Sequence, residues 1–122
     1  MPAVLIVDDD HAFRTLLHTL FEENSGFDHC VEAASASEAL DKSKQLSPSL
    51  AIVNFSMPEM NGLQLARELK AREPALPIFM LTAEYDVDIE KQAFAFGITA
   101  VFSKLDDLTT LIANARVVCG LE

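Results

Sequence analysis

Polar residues stand at or just after the ends of four short apolar runs in this sequence. Residues 8–10 are three aspartates, while Asn54, Thr82 and Lys104 supply an amide, a hydroxyl and an ammonium group. Adjacent carboxylates repel one another unless a cation lies between them, and divalent ions such as Mg²⁺ prefer oxygen ligands. Hydroxyl and ammonium groups suit the oxygens of a phosphoryl group. If these residues meet in space, they predict a site for a metal ion and a phosphoryl group.

Each of these residues also has a simpler interpretation. Asp10 can be a helix N-cap that interacts favourably with the helix dipole. Thr82 can cap the approach to the next helix, and Lys104 can be a solvated surface charge. Their joint position at the ends of apolar runs favours a shared site instead. Within such a site, the amide of Asn54 can coordinate and hydrogen-bond but cannot act as a nucleophile.

Short apolar runs alternate with segments of helical periodicity along the chain. The strongest runs cover residues 4–7, 50–55 and 77–81, and weaker ones cover 29–33 and 100–102. This alternation is typical of βα units around a parallel sheet. We predict a (βα)5 flavodoxin-like α/β fold, with a five-stranded parallel sheet of order 2-1-3-4-5 and helices on both faces. The candidate site then lies at the carboxyl edge of that sheet.

Start and stop signals predict five helices between these runs. The first begins near residue 10 and ends at 24–26, and the second opens at the capping-box sequence 35–38 and stops by Pro48. The third spans about 62–72, the fourth follows Asp86 and closes at Gly97, and the fifth begins near Asp106. Helical spacing predicts one buried stripe in the first helix and another in the fourth. The first stripe consists of Phe13, Leu16, Leu17, Leu20 and Phe21, and the second of Ile89, Ala93 and Phe96.

Length and charge restrict the classes of protein to consider. The chain of 122 residues fits a single domain over 1–120, and Leu-Glu at 121–122 matches a common cloning remnant. Nine basic and nineteen acidic residues give a net charge of −10, which disfavours nucleic acid and anionic membranes as partners. No apolar run is long enough to span a bilayer and no basic signal segment opens the chain, so we expect a cytoplasmic location. Cys30 and Cys119 are expected to be reduced packing thiols.

The ordered motifs resemble the receiver domains of two-component response regulators, which are CheY-like. The resemblance rests on residues 7–10, 54–62, 81–83 and Lys104, and covers nearly the whole chain. It implies that Asp8, Asp9 and the Ser56 backbone carbonyl hold Mg²⁺, with Asn54 as a further possible ligand. It also implies phosphoryl contacts for Thr82 and Lys104 and a histidine kinase, or another two-component signalling protein, as partner.

Three positions depart from the pattern of that family. Asn54 stands where the family has its phosphoacceptor aspartate, so phosphate should not be accepted there and Mg²⁺ should bind weakly. Lys104 should keep only a neutral acceptor. Val101 replaces the usual switching aromatic residue, and Leu105 replaces a proline that follows a cis bond, so a trans bond is expected.

Two interpretations of these departures stay open. In the first, the chain is a natural pseudo-receiver that recognises proteins without phosphorylation and has no enzymatic activity. In the second, it is a phosphoacceptor receiver in which Asn54 is an engineered replacement for aspartate. A flavin or nucleotide enzyme is disfavoured, because residues 8–10 are acidic where such a fold needs a phosphate-binding loop.

The resemblance also indicates where partners bind. Receivers use helix 4, strand 5 and helix 5, so Phe94 and Val101 are candidate contacts for a partner or for a second copy in a homodimer. The expectation for His11, His18 and His29 is an ordinary structural role, because none shows an orienting acid at a helical spacing. Ser56 has no general base and is not expected to accept phosphate through its hydroxyl.

Overall fold

Five strands and five helices alternate along the chain in the computed structural model, which describes residues 2–24 and 26–121. The strands are β1 (Ala3–Val7), β2 (His29–Ala33), β3 (Leu50–Asn54), β4 (Ile78–Thr82) and β5 (Ala100–Ser103). The helices are α1 (His11–Glu23), α2 (Ala36–Leu46), α3 (Gly62–Arg72), α4 (Val87–Ala95) and α5 (Leu108–Val118). The sheet has the order β2-β1-β3-β4-β5, and every pairing is parallel. The predicted (βα)5 fold is therefore confirmed. Met1, Ser25 and Glu122, which the predicted domain, first helix and terminal remnant include, lie outside the described residues.

The sheet is covered by helices on both faces, which explains its continuous apolar strands. Strands β1, β3 and β4 are buried along their whole length, whereas the edge strands β2 and β5 are partly exposed. Along β1, Leu5 and Val7 pack towards α2, α3 and α4, and Val4 and Ile6 pack towards α1 and α5. A strand buried on both faces needs apolar side chains in both directions. The polar residues that end these strands are therefore held in fixed positions at the carboxyl edge of the sheet.

One glycine brings the loop after β3 close to the strand it leaves. The backbone N–H of Gly62 donates a hydrogen bond to the Phe55 carbonyl at 2.8 Å. A Cβ atom at Gly62 would stand 2.5 Å from the Asn54 carbonyl oxygen, closer than real Cβ contacts allow. Glycine is needed where backbones approach this closely. Gly62 therefore keeps residues 55–61 folded over the end of β3.

Two of the predicted buried positions are wrong. Leu16 is 46% exposed, and only Leu17 and Phe21 are fully buried on α1. Successive helical residues point about 100° apart, so Leu16 lies beyond the narrow stripe that faces the sheet. Phe96 is 41% exposed because α4 ends at Ala95 and Phe96 is its C-cap.

Both cysteines are free and half-buried. Burial raises the pKa of the Cys30 thiol from 9.0 to about 12, and Glu32 and Glu22 add to the effect. Burial also raises the pKa of Cys119. Both side chains pack against the core beside α1 and α5, in agreement with the prediction of packing thiols.

Candidate functional site

The four predicted site positions lie at the carboxyl ends of neighbouring strands. Asp8 follows β1, Asn54 ends β3, Thr82 ends β4 and Lys104 follows β5. Asp8, Asn54 and Thr82 are the buried polar side chains of the described residues, at 1%, 6% and 4% exposure. Burying polar groups is unfavourable unless they find partners. The arrangement of these partners defines what the site can do.

Asp8 is held by one contact on each of its two carboxylate oxygens. Its Oδ1 accepts a hydrogen bond from the Asp10 N–H at 2.9 Å, and its Oδ2 lies 2.6 Å from Lys104 Nζ. Lys104 is therefore the ion-pair partner of the buried Oδ2 atom. Burial raises the pKa of Asp8 above its ordinary value, against the opposing influence of Lys104 and the Asp10 N–H. Asp8 is therefore a desolvated carboxyl whose nearest positive charge is Lys104.

Lys104 is fixed between a carboxylate and an aromatic ring. Its Nζ lies 4.5 Å from the centroid of the Phe13 ring, and its side chain is 16% exposed. An ammonium group over an aromatic face is attracted by the ring quadrupole, more strongly when it is desolvated. The expectation that Lys104 keeps only a neutral acceptor is wrong, because the loop after β5 places its ammonium group on Asp8.

The amide of Asn54 joins two of the predicted metal ligands. Its Nδ2 donates hydrogen bonds to the Ser56 backbone carbonyl at 2.7 Å and to Asp9 Oδ1 at 3.4 Å. Only the nitrogen side of the amide can face a carbonyl oxygen at 2.7 Å, since two oxygens there would repel. The Asn54 amide thus closes the space between Asp9 and Ser56.

Thr82 and the two predicted switch positions, Val101 and Leu105, have other surroundings. The Thr82 hydroxyl donates to the Glu84 carbonyl at 3.1 Å and accepts from the Glu84 N–H at 3.3 Å, so it stabilises the turn after β4. Val101 is half-buried against the core, and Leu105 is 88% exposed. The Lys104–Leu105 peptide bond is trans, in agreement with the prediction. Phe94 is 51% exposed on α4, which leaves it accessible to a partner.

Sequence reasoning missed Arg14. Its Nη1 donates to the Asp8 backbone carbonyl at 2.6 Å, and its Nε donates to Glu32 Oε1 at 3.1 Å. Side chains in the first turn of a helix lean towards its N-terminus, so an arginine there can reach the end of the preceding strand. The position of Arg14 in the first turn of α1 was therefore the sequence signal from which its contact with the end of β1 could have been predicted.

The expectation for His18 was wrong in one respect. His18 Nε2 lies 3.2 Å from Glu22 Oε2 at the helical spacing i, i+4, and its Nδ1 lies 2.8 Å from Glu32 Oε2. The prediction overlooked Glu22, although the pair is visible in the sequence. Glu32 could not be recognised as a partner, because it comes from β2. The Glu32 contact connects α1 to β2, whereas the Glu22 contact lies within α1.

Sequence comparison finds relatives over most of the chain. The family described as the response regulator receiver domain matches residues 4–116. A protein-glutamate methylesterase/protein-glutamine glutaminase of Paramagnetospirillum magneticum is 33% identical over 102 residues, which are 84% of this chain and 28% of that protein. The DNA-binding transcriptional regulator NtrC of Klebsiella pneumoniae is 32% identical over 108 residues, which are 88% of this chain and 23% of that protein.

Solved structures share the arrangement of strands and helices. The Vibrio cholerae chemotaxis protein CheY4 has a TM-score of 0.86 and 29% identity, with 97% of this chain and 98% of that chain covered. The receiver domain of the Francisella response regulator 1452 has a TM-score of 0.89 and 24% identity, with 98% of each chain covered, and is similar in fold. This chain spans between 21% and 56% of the length of the first curated relatives it matches.

Proposed function

The chain belongs to the response regulator receiver domain family of two-component systems, and from this premise we propose that it is a phosphorylation-independent protein-recognition module. The proposal assigns Asn54 to the phosphoacceptor position. Its support is the place of Asn54 as the last residue of β3, buried beside Asp9 and followed by the loop that Gly62 holds over the strand. The single observation that carries the proposal is that β3 ends in the amide of Asn54 and not in a carboxylate.

The chemistry of an amide excludes the usual reaction of a receiver at this position. An acyl phosphate forms when a carboxylate oxygen attacks phosphorus, and an amide offers neither the charge nor the reactive lone pair for this step. The Ser56 hydroxyl is no substitute, since the sequence places no general base for it. We therefore assign no enzymatic activity to this domain.

A second candidate function is a phosphoacceptor receiver with an engineered Asn54. The observation that favours it is the retention of Asp8, Asp9, Thr82 and Lys104 around Asn54. In this reading an aspartate at position 54 takes phosphate from a histidine kinase, with Mg²⁺ held by Asp8, Asp9 and the Ser56 carbonyl. The codon at position 54 of the native gene separates the two candidates.

Recognition is assigned to the surface formed by α4, β5 and α5. Phe94 projects from α4 with half of its side chain exposed, and Val101 lies half-buried on β5. Exposed aromatic side chains are frequent anchors of protein interfaces. The occupant is a two-component signalling protein such as a histidine kinase, or a second copy of this chain. The net charge of −10 supports a protein rather than a nucleic acid as partner.

The proposed location is the cytoplasm, where two-component receivers meet their kinases. Separately, none of the helices among the described residues is both long enough and apolar enough to cross a bilayer. The relatives' longer chains carry functions named for them, a methylesterase and a DNA-binding regulator.

The experiment treats three chains with acetyl phosphate and Mg²⁺ and measures intact mass. The unchanged chain and an Asn61→Asp variant are expected to gain no phosphoryl group, whereas Asn54→Asp gains one. Asn61→Asp is the matched control because it adds a carboxylate to the same loop, and aspartate caps a helix as well as asparagine does. A phosphoryl group on the unchanged chain would contradict the proposed function.

A further inference from the structure

The oxygens that would ligate a metal ion here already face nitrogen groups of the protein. Asp8 Oδ1 accepts from the Asp10 N–H at 2.9 Å, and Asp8 Oδ2 lies 2.6 Å from the Lys104 ammonium. The Asn54 amide donates to the Ser56 carbonyl at 2.7 Å and to Asp9 Oδ1 at 3.4 Å. A bound Mg²⁺ would compete with these contacts for its oxygen ligands.

The orientation of the Asn54 amide opposes a metal ion directly. A ligand for Mg²⁺ must present oxygen, but the Asn54 group that faces Asp9 and Ser56 is an NH₂ donor. Turning the amide to present Oδ1 would end both hydrogen bonds. It would also bring two oxygens together at the 2.7 Å contact with Ser56 unless the ion came between them.

The cluster formed by Asp8, Asp9, Asn54, Ser56 and Lys104 also carries too little negative charge to attract a divalent ion strongly. Asp8 and Asp9 are its only two carboxylates, and the described residues contain no group of three or more His, Cys, Asp or Glu side chains arranged to hold a metal. Lys104 neutralises one of the two carboxylates. Mg²⁺ gives up its water reluctantly and is usually held in proteins by one or two carboxylates, and the Lys104 pair leaves only that of Asp9 without a cation in this cluster. The donor set present here does not fit the ion.

Lys104 is well placed to remain as the resident cation. Its side chain is largely buried, and the Phe13 ring lies beneath its Nζ. The backbone N–H of Lys104 donates to the Thr82 carbonyl at 2.9 Å, which fixes the start of the side chain. An ammonium group held from both ends stays close to Asp8.

We propose that the Lys104 ammonium and the Asn54 amide take the place that a divalent ion has in receiver sites, so that this chain holds its site together without metal. The inference rests on the proposed function in one respect, the assignment of Asn54 to the phosphoacceptor position. It goes beyond weakened binding, because it makes a side chain of the protein the competitor of the ion. Removing Lys104 should therefore strengthen metal binding.

The test titrates Mg²⁺ calorimetrically into the unchanged chain and into Lys104→Met, Asn54→Asp and Lys91→Met variants. Mn²⁺ broadening of the amide signals at residues 8–10 and 54–56 locates any bound ion. Lys104→Met keeps an apolar stem over Phe13 and removes the charge, so its affinity should exceed that of the unchanged chain by at least about tenfold. Asn54→Asp should bind tightest, because it adds a carboxylate and removes the amide donor.

The matched control is Lys91→Met, which removes the same charge from an exposed position on α4. It should leave Mg²⁺ affinity within about twofold of the unchanged chain, since exposed distant charges are screened by salt. Equal affinities of the unchanged chain and Asn54→Asp would overturn the inference. So would equal affinities of Lys104→Met and Lys91→Met.

If the Lys104→Met variant fails to fold, a second variant tests the same inference. Phe13→Leu keeps apolar volume and removes the aromatic ring under Nζ, so its Mg²⁺ affinity should rise above that of the unchanged chain; no rise would count against the inference. The outcomes are distinct from those of the mass experiment. If the unchanged chain binds Mg²⁺ tightly but takes no phosphate, the inference fails and the proposed function stands.

Discussion

At the scale of the residue, Asn54 differs from an aspartate both in charge and in the direction of its hydrogen bonds. A carboxylate at this place would accept hydrogen bonds, whereas the amide donates to Ser56 and Asp9. It would also add a negative charge beside Asp9, the chain neighbour of Asp8, whose pKa burial already raises. Like charges in a partly desolvated cluster disfavour one another. The amide therefore removes repulsion and supplies contacts at once.

This difference predicts that Asn54→Asp is less stable than the unchanged chain when metal is absent. The expected loss is about 1–2 kcal/mol in the free energy of unfolding, from the two lost Asn54 hydrogen bonds and the added repulsion. Urea unfolding in the presence of EDTA measures it, with Asn61→Asp as control. Saturating Mg²⁺ should narrow the gap, since the ion binds the folded variant. A metal-free Asn54→Asp chain of equal or greater stability would show the argument to be wrong.

The individual site residues were predictable from sequence to different degrees. Asp8, Asn54, Thr82 and Lys104 could be placed together, because parallel strands end at a common edge and each residue follows an apolar run. Their pairing could not be predicted. Whether Lys104 faces Asp8 or Asn54 depends on the path of the loop after β5 and on the Phe13 ring from α1, and neither leaves a periodic pattern in the sequence.

At the scale of the element, α2 shows how a helix start was predicted and where the structure differs. Ser35 Oγ accepts from the Glu38 N–H at 3.1 Å, as the capping-box spacing predicts. In a capping box the Glu38 carboxylate would accept from the N–H of the N-cap residue, Ser35. Here it accepts instead from the N–H of the preceding residue, Ala34, at 2.6 Å. It also pairs with Lys42 at 2.8 Å. These contacts fix the turn that joins β2 to α2.

The Glu38 contacts predict a small pH dependence of stability. The Ala34 N–H, followed by Lys42, lowers the pKa of Glu38 below its ordinary 4.5. A lowered pKa in the folded state gives stability that is present above 4.5 and is lost as the pH falls through the folded value. Because the side chain is about 40% exposed, solvent screening limits the effect to less than about 1 kcal/mol.

Urea midpoints of the unchanged chain and of Glu38→Gln measure this contribution. The two curves should converge as the pH falls below 4.5 and separate above it, because glutamine does not titrate. Glu68→Gln, at an exposed position on α3, is the matched control and should follow the unchanged chain. A constant difference between Glu38→Gln and the unchanged chain at every pH would exclude the lowered pKa as its cause.

Helix faces were predicted less well than helix positions. Apolar spacing located α1 and α4, but it assigned Leu16 and Phe96 to buried stripes, although both side chains are exposed. Periodicity states that a residue is apolar at a helical angle, and not how wide a strip the sheet covers. The end of α4 at Ala95 likewise depends on the turn at Gly97, whose φ is +86°. Both errors concern exposed apolar residues, the kind that partners can use.

At the scale of the whole molecule, net charge and exposed apolar side chains act in opposite directions on self-association. Two copies that each carry −10 repel one another over a range set by the ionic strength. Phe94, at 51% exposure, favours contact because burying an aromatic side chain releases water. If a second copy occupies the α4–β5–α5 surface, the association should therefore be weak at low salt.

The resulting prediction is that the dimer fraction rises with salt and depends on Phe94. Light scattering after size exclusion at low and high sodium chloride measures the mass of the particle in solution. Phe94→Ser should weaken association by at least about tenfold, because burying a phenylalanine is worth roughly 1.5–3 kcal/mol. Leu16→Ser is the matched control, since Leu16 is 46% exposed on α1, outside this surface. Salt that dissociates the dimer would indicate ion pairs instead, and equal effects of Phe94→Ser and Leu16→Ser would remove Phe94 from the interface.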